Sequence, residues 1–472
     1  MLLTTSFNMM TRWAVTVALL LIVGVAAGKD NLHVEYEWRE MDFKYDNPDQ
    51  RWTAIEQGAF KPTSVIPFGL EVYRHRLFVT LPRWRSGVPA SLAYLDLNDN
   101  STKMPALMPF PSWVAHNLND TEPELVSPFR VKADQCGRLW VLDSRISGVL
   151  EQTKLYGTAQ LLVYDIHNDD LLRRYILPAG QSKQSSFFAN LAVEDGDCEN
   201  TYAYMADLGS PGLVVYSWRD QESWRVQHHF FHPDPLAGNF SINGIEFQWD
   251  DGVYGLALSK PQMDGSATLY FHPLTSTMEF SVNTTVLRNK TLATSGDIFR
   301  EFKILGSRGT DAQAGAQCLD PETGVLFYAL PNQNALGCWQ TTNNYKMQDR
   351  VYASDNMLIF PSDVKVDHKR RLWVLSNQLQ SFIYDELYGG SINFRILSAS
   401  VKDAIERTSC EPPKKLPELI SKLGEVIKTN IGFKSSDSSS TPSSGSGSTS
   451  GSAAWSLSLS VLLLGSAISW LL

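Results

Sequence analysis

The chain has 472 residues, a formal net charge of −9 at pH 7 and 43% hydrophobic residues, including 13 Trp, 17 Tyr and 22 Phe. This composition is ample for a packed core, and the length allows one large all-β domain or two to three average domains. The acidic balance argues against nucleic acid or an anionic membrane surface as a partner, because neither attracts a negatively charged protein.

The N-terminus has the layout of a secretory signal peptide. Arg12 precedes an apolar run over residues 13–27, and small residues end the run at Gly28, before Lys29. Small residues at that point favour cleavage over an uncleaved anchor. We therefore predict that residues 1–28 are a signal peptide and that the mature protein folds in an oxidising, extracellular environment.

Two segments share a motif with identical internal spacing. Residues 128–144 read PFRVKADQCGRLWVLDS and residues 360–377 read FPSDVKVDHKRRLWVLSN, so VKxDxxxRLWVL occurs twice. Apolar strands on both sides of a short polar turn are typical of a β-hairpin. A hairpin that recurs within one chain indicates a repeat architecture.

Six apolar segments match the second strand of this hairpin, and a third strand follows each of them. The second strands are predicted at 77–82, 139–144, 202–207, 253–258, 325–330 and 372–377, and the third strands begin near 92, 161, 213, 267, 336 and 381. Fourth strands are predicted at 171–177 and 393–399, and residues 283–309 are predicted as a surface loop. Four antiparallel strands repeated six times predict an all-β fold, a six-bladed β-propeller over residues 29–412.

The alternating segment at residues 33–45 precedes the first hairpin. We expect it to supply an outer strand that closes the ring, because an open ring would leave unpaired strand edges.

The five cysteines predict two disulfides and one free thiol. Cys136 and Cys198 lie in equivalent hairpin turns of adjacent predicted blades, so we expect them to pair. Cys338 on a third strand and Cys410 just beyond the last blade are expected to pair and to lock the closing segment of the ring. An odd count leaves one cysteine over, and Cys318 is expected to pack as a small apolar side chain on an inner strand.

Five Asn-X-Ser/Thr sequons agree with an extracellular glycoprotein. They begin at Asn100, Asn119, Asn239, Asn283 and Asn289.

The C-terminal region has three parts with different compositions. Residues 413–434 are predicted as a short helical extension, and residues 435–452 are a Ser/Gly-rich stalk. Residues 453–472 form an apolar tail with no basic flank, which together with the polar spacer is typical of a glycosylphosphatidylinositol (GPI) attachment signal. A short transmembrane helix is the alternative. We favour a secreted protein anchored at the cell surface through GPI, with no other membrane contact.

Four segments of the chain resemble the insect Yellow and major royal jelly protein family. They are PFRVKADQCGRLWVLDS, NGIEFQWDDGVYGLALS, ALGCW and FPSDVKVDHKRRLWVLSN, and the resemblance covers residues 33–410. It implies a six-bladed propeller and a role outside the cell in cuticle pigmentation and melanin formation. We expect the chain to bind catechol or indole precursors of melanin in the propeller channel. An enzyme that converts dopachrome by tautomerisation is the alternative.

Polar residues at the channel mouth are candidates for ligand contact. The segments that lead into the predicted first strands carry Arg130, Asn190, Asn243, Gln317 and Ser362. They could orient a ligand or merely solvate the channel. Amine-binding family members use a Thr, an Asn and a Phe of the last repeat, and by resemblance Ser362, Asn377 and Leu379 occupy these positions. Leucine in place of phenylalanine removes a face on which an aromatic ring could stack.

The sequence assigns no catalytic residue, cofactor or metal. The HHFFH segment at 228–232 would place His228 and His229 on opposite faces of a strand, so we expect no metal site there. Asp143, Asp207 and Asn377 stand at equivalent ends of second strands. Such side chains are expected to cap strand ends through hydrogen bonds rather than to act as acid or base.

Overall fold

The structure, a computed structural model, describes residues 32–99 and 101–413. Within this part of the chain, six four-stranded antiparallel sheets form the blades of a β-propeller, which confirms the predicted fold. The inner strands of neighbouring blades contact each other, and the inner strand of blade 6 contacts that of blade 1, so the ring is closed.

The first three blades follow the predicted order along the chain. From inner to outer strand, blade 1 consists of Gly69–Tyr73, Arg76–Thr80, Leu92–Asp96 and Met108–Pro109. Blade 2 consists of Pro128–Ala133, Arg138–Asp143, Gln160–Asp165 and Leu171–Ile176. Blade 3 consists of Phe188–Glu194, Tyr202–Asp207, Gly212–Ser217 and Glu222–Val226.

The last three blades complete the ring. Blade 4 consists of Val253–Leu258, Thr268–Pro273, Met278–Asn283 and Lys303–Ser307. Blade 5 consists of Gln317–Asp320, Val325–Leu330, Ala335–Gln340 and Gln348–Ala353. Blade 6 consists of Phe360–Val366, Arg371–Asn377, Phe394–Ser400 and His33–Trp38.

Short elements connect the blades. The α-helices are Pro48–Glu56, Thr284–Arg288, Lys290–Ala293, Leu379–Tyr384 and Val401–Ile405. The 3₁₀-helices are Pro62–Ser64, Val114–His116, His229–Phe231, Pro235–Ala237, Ile298–Arg300 and Pro331–Gln333. Two small hairpins pair Ile146–Ser147 with Lys154–Leu155 and Asn239–Ile242 with Ile245–Gln248.

The repeated motif is explained by its turn aspartate. In blade 2, the Asp134 carboxylate accepts hydrogen bonds from the backbone N–H groups of Cys136 and Arg138, from Arg138 Nε and from Trp140 Nε1. The turn carboxylate therefore closes the turn and also orients the buried tryptophan of the second strand.

The second copy repeats this arrangement in blade 6. Asp367 accepts from the backbone N–H groups of Lys369 and Arg371, and its other oxygen accepts from Trp373 Nε1 at 3.0 Å. Both tryptophans are buried, and a buried indole N–H is costly without a partner. This requirement accounts for the fixed spacing between Asp and Trp.

Blade 6 differs from its predicted strand order. The predicted third strand near 381 is wrong, because Leu379–Tyr384 is a helix in which Leu379, Phe382 and Ile383 share one face at helical spacing. Phe394–Ser400, predicted as a fourth strand, is the third. It pairs with His33–Trp38, which confirms that the N-terminal segment closes the ring.

In blade 4, the strands stand one position closer to the axis than the sequence predicts. Val253–Leu258, predicted as a second strand, is the inner strand, and Lys303–Ser307 is a blade strand inside the segment predicted as a loop. An inner strand buried on both faces is a continuous apolar run, which sequence pattern alone does not distinguish from a second strand. The His228–His232 segment is likewise not a strand but contains a 3₁₀-helix.

Apolar side chains pack between neighbouring blades. Trp140 and Leu161 of blade 2 belong to one buried cluster with Leu191, Met205 and Val214 of blade 3, and comparable clusters fill the other interfaces. Full burial of a large apolar side chain stabilises the fold by about 1.5–3 kcal/mol, so the interfaces between blades hold the ring together.

The predicted disulfides are confirmed. Cys136 pairs with Cys198, and Cys338 pairs with Cys410. Cys318 is a free, partly buried thiol on the inner strand of blade 5, and burial raises its pKa. The second bridge joins the third strand of blade 5 to the segment after the last blade, as expected.

The sequons and the terminal segments stay predictions. Asn119, Asn239 and Asn289 are exposed and Asn283 is half-buried, so these positions are compatible with glycosylation. Asn100, residues 1–31 and residues 414–472 lie outside the described residues, and so do the predicted signal peptide, helical extension, stalk and tail. No helix of the described residues is sufficiently long and apolar to cross a membrane.

Candidate functional site

A cavity of about 350 Å³ lies at the face of the propeller where the inner strands begin. Its walls come from residues that precede inner strands, such as Phe187 and Asp251, and from residues that follow second strands, such as Leu208 and Leu274. In a propeller these connections converge on the axis, so the cavity is the mouth of the central channel. Its volume lies in the range of small-molecule sites.

Most of the cavity surface is apolar and aromatic. The aromatic lining residues are Phe68, Trp84, Phe187, Trp249, Tyr254, Phe360 and Tyr384. Phe68 and Trp84 pack edge to face with ring centres 5.9 Å apart. The indole N–H of Trp84 is buried and has no hydrogen-bond partner among the described residues. Aromatic walls of this kind suit a flat aromatic ligand.

Two connecting segments meet at one side of the cavity. Trp249 follows the small hairpin before blade 4, and Tyr384 ends the helix inserted in blade 6. Trp249 Nε1 donates a hydrogen bond to the Tyr384 hydroxyl at 2.7 Å, and the Tyr384 ring stacks on Phe247. These insertions, rather than the repeated hairpins, therefore shape this wall.

Asp251 places a carboxyl group in this apolar cavity. Within the described residues no group donates a hydrogen bond to its carboxylate and no cation pairs with it; only its backbone is bonded, to Thr275. Burial, aided by the neighbouring charge of Asp250, raises the pKa of Asp251 to about 6. A carboxyl group in this state can accept a proton or pair with a ligand cation near neutral pH.

Tyr254 lines the same cavity, with Arg130 next to its hydroxyl. Arg130 is fully buried, and its guanidinium donates to the Tyr254 hydroxyl and, at 2.7 Å, to the carbonyl of Ser362. Arg130 Nε lies 3.6 Å from Asp363. Burial raises the pKa of Tyr254 to about 12, so the hydroxyl stays protonated, and no described residue accepts its hydrogen.

The structure brings only some of the predicted site residues into the cavity. Ser362 and Leu379 line it, whereas Asn190 and Asn377 do not. Asn190 Nδ2 donates to the carbonyl of Tyr254 at 2.6 Å, and Asn377 Nδ2 donates to the carbonyl of Pro67 at 2.8 Å. These two amides therefore tie adjacent blades together through backbone groups.

The placement of Asn243 at the channel mouth is wrong. Asn243 is exposed in the turn of the small hairpin, with a φ of 50°. The cause is the strand shift in blade 4: the residues before the true inner strand are Asp250 to Gly252. The sequence analysis does not predict Asp251 as a site residue, although an acidic pair directly before a buried strand marks this position.

Strand-end capping is confirmed. Asp143 accepts from the backbone N–H groups of Val126, Ser127 and Arg145. Asp207 and Asn377 accept backbone hydrogen bonds at the equivalent positions. No group of three or more His, Cys, Asp or Glu side chains in the described ranges is arranged to hold a metal ion.

Comparison with known proteins gives matches over most of the chain. Residues 126–410 match the family model of the major royal jelly protein. The chain is 38% identical over 402 residues to Protein yellow of Drosophila erecta, covering 84% of this chain and 74% of that protein. It is 37% identical to Protein yellow of Drosophila melanogaster over the same shares of both chains.

Solved structures resemble the chain more distantly. A protein of unknown function from Bacteroides thetaiotaomicron is 12% identical with a TM-score of 0.45, over 78% of this chain and 76% of that one. A luciferin-regenerating enzyme is 14% identical with a TM-score of 0.41, over 71% and 91%. Neither likeness bears on function.

Proposed function

The chain belongs to the major royal jelly protein family, which includes the Yellow proteins, and we propose that it acts outside the cell in pigmentation by binding catechol or indole precursors of melanin in its channel cavity. The family relationship supports the pigmentation role. The chemistry of the cavity supports the ligand class.

Size and lining both favour a flat aromatic ligand. The cavity of about 350 Å³ suits a one- or two-ring compound, and seven aromatic side chains line it. Leu379 contributes an aliphatic wall to the same cavity. Stacking on Trp84, Phe187 or Trp249 can therefore replace the stacking face that Leu379 lacks.

The observation that carries the proposal is the set of unpaired polar groups in this apolar cavity. Asp251 has a carboxylate without a described partner, and the Trp84 indole N–H is a buried donor without an acceptor. A buried polar group without a partner is costly, and a bound ligand can remove this cost by supplying the partner. A catechol hydroxyl can accept from the indole, and a protonated amine can pair with the carboxylate.

Calorimetric titration of the purified secreted protein with dopamine and with the neutral 4-methylcatechol tests the proposal. We expect saturable binding of both, weakened about tenfold by Phe187→Ala through the loss of stacking, on the order of 1 kcal/mol. Phe299→Ala is the matched control, because Phe299 is 52% exposed and does not line the cavity. Absence of binding by the wild-type protein would refute the proposal.

A second candidate function is dopachrome conversion. Tautomerisation needs a proton acceptor near an activated C–H bond and a donor for the carbonyl oxygen. Asp251 favours this candidate, because a carboxyl group whose pKa is raised to about 6 is a competent base at neutral pH. Faster bleaching of dopachrome that saturates with substrate would establish the activity, and an unchanged rate alongside dopamine binding would leave the carrier function alone.

We propose a secreted protein held at the cell surface by GPI. The two disulfides support an oxidising compartment, and the anchor is proposed from the sequence of residues 435–472. Phosphatidylinositol-specific phospholipase should release the protein from expressing cells. Protein that stays on treated cells would contradict the anchor.

A further inference from the structure

We infer that Asp251 and Tyr254 form a proton acceptor and donor pair that isomerises a conjugated carbonyl compound bound in the cavity, with Arg130 as the positioning residue behind Tyr254. This inference rests on the proposed function, because it needs a flat, catechol-derived ligand in the same cavity. It names the reacting groups, which neither the family relationship nor the sequence assigns.

The two groups line one cavity and differ in protonation. Asp251 and Tyr254 both contribute to its lining, and they are sufficiently close that the charge of Asp251 helps to raise the pKa of Tyr254. At neutral pH the carboxyl group is mostly ionised while the phenol keeps its proton. One side chain can therefore accept a proton while the other donates one.

Arg130 determines how the Tyr254 hydroxyl is used. The guanidinium donates to the phenol oxygen, so the hydroxyl's own hydrogen is available to a ligand. Arg130 also bonds the carbonyls of Phe68 and Ser362 and lies beside Asp363, which holds it in place. A fixed cation next to the phenol stabilises the negative charge that develops when the proton leaves.

The reaction balances without a co-reactant. The Asp251 carboxylate takes the proton of a C–H bond conjugated to the carbonyl, and the electron pair of that bond moves through the conjugated system to the carbonyl oxygen. Tyr254 gives its proton to this oxygen, forming a hydroxyl group. With an aminochrome such as dopachrome, this step gives a quinone methide, and a second transfer of the same kind, from the neighbouring C–H bond to the other carbonyl oxygen, completes the dihydroxyindole. The protonated Asp251 and the Tyr254 phenolate beside Arg130 then return to their starting states by proton exchange with water.

The methyl ester of dopachrome is the probe for this reaction. An ester does not lose carbon dioxide, so its bleaching requires departure of the C–H proton. We expect the wild-type protein to accelerate bleaching, and we expect Asp251→Asn and Tyr254→Phe each to lower kcat at least 100-fold. In the wild type, kcat/KM should rise with pH through about 6 as Asp251 ionises.

Asp250→Asn is the matched control, because Asp250 is exposed and does not line the cavity. It should retain kcat. The acidic limb of the kcat/KM profile should shift to a slightly lower pH, because the Asp250 charge helps to raise the pKa of Asp251. If Asp251 served folding alone, Asp250→Asn would leave the acidic limb of the pH profile at the same pH. Arg130→Met should lose activity, because it removes the cation beside the Tyr254 hydroxyl. Arg130→Lys should retain part of the activity, because lysine keeps the positive charge.

Binding of neutral 4-methylcatechol, followed through tryptophan fluorescence, separates the inference from the proposed function. Retained binding by Asp251→Asn and Tyr254→Phe with lost turnover supports the inference and shows that both variants fold. Binding without turnover by the wild type, or full turnover by Asp251→Asn, overturns the inference and leaves the carrier function standing. Neither binding nor turnover by the wild type overturns both.

Discussion

The two ends of the inner strands use the same residue types in opposite ways. At the turn end, Asp134 and Asp367 each receive hydrogen bonds from backbone N–H groups and from the indole N–H of a buried tryptophan. At the cavity end, Asp251 and Trp84 carry a carboxylate and an indole N–H that no described residue satisfies.

This difference assigns the stability of the fold to the turn end of the inner strands and ligand binding to the cavity end. A paired buried carboxylate stabilises the fold, whereas an unpaired one costs free energy that a ligand can recover. The turn end therefore holds the ring together, and the cavity end keeps groups available for chemistry. Four measurements test this contrast.

The largest effect is expected at the turn end. Asp134→Ala removes the hydrogen bonds to two backbone N–H groups, Arg138 and Trp140 and leaves Arg138 without its carboxylate, which should lower the free energy of unfolding by about 3–5 kcal/mol. Guanidinium unfolding measures this change. The same substitution at Asp251 is the control and should not destabilise the protein. Equal losses for both variants would contradict the contrast.

Loss of the ring-closing disulfide should be the next largest effect. Cys338→Ser with Cys410→Ser should lower stability by about 2–4 kcal/mol, because the bridge restricts the unfolded chain. Cys318→Ala is the matched control at a free cysteine and should change stability by less than about 1.5 kcal/mol. A double variant as stable as the wild type would argue against a locking role for the bridge.

Asp251→Asn should stabilise the protein at pH 7.5. The pKa of Asp251 is raised to about 6 in the folded protein from 3.8. The unfolded chain therefore holds fewer protons between these values, and stability falls as the pH rises through this window. Removing the carboxylate should raise the free energy of unfolding by about 1–3 kcal/mol at pH 7.5.

The gain should be largely lost by pH 4, where Asp251 is protonated in the folded protein and partly protonated in the unfolded chain. Unfolding curves at the two pH values give the comparison. A stabilisation of equal size at pH 7.5 and pH 4 would exclude the carboxylate charge as its cause.

The smallest expected effect is the pH dependence of amine binding. Dopamine keeps its positive charge from pH 5 to pH 7, but only about a tenth of Asp251 is ionised at pH 5. Dopamine should therefore bind about tenfold more weakly at pH 5 than at pH 7. Neutral 4-methylcatechol should bind equally at both values. A parallel decrease for both ligands would point to a different titrating group.

The sequence pattern was informative where structure is local and repeated. The motif VKxDxxxRLWVL predicted the hairpins of blades 2 and 6, because its turn Asp and buried Trp lie in one continuous segment. The pairing of Cys136 with Cys198 followed from equivalent turns. The pattern predicts a strand where the structure has the inserted helix Leu379–Tyr384, since a short apolar run suits either structure.

The sequence by itself determined the number of blades and the Cys136–Cys198 bridge, because both depend on hairpin spacings that recur along the chain. It also indicated the closure of the ring and the Cys338–Cys410 bridge, because one strand-forming segment precedes the first blade and one cysteine follows the last. Only the tertiary structure decided which residues face the cavity. Asp251 precedes the inner strand of blade 4, Tyr254 lies on that strand, and Trp84 follows the second strand of blade 1. Asn190 and Asn377 are turned to neighbouring backbone groups. Such placement depends on how the blades pack around the axis, and no repeated pattern of residues encodes it.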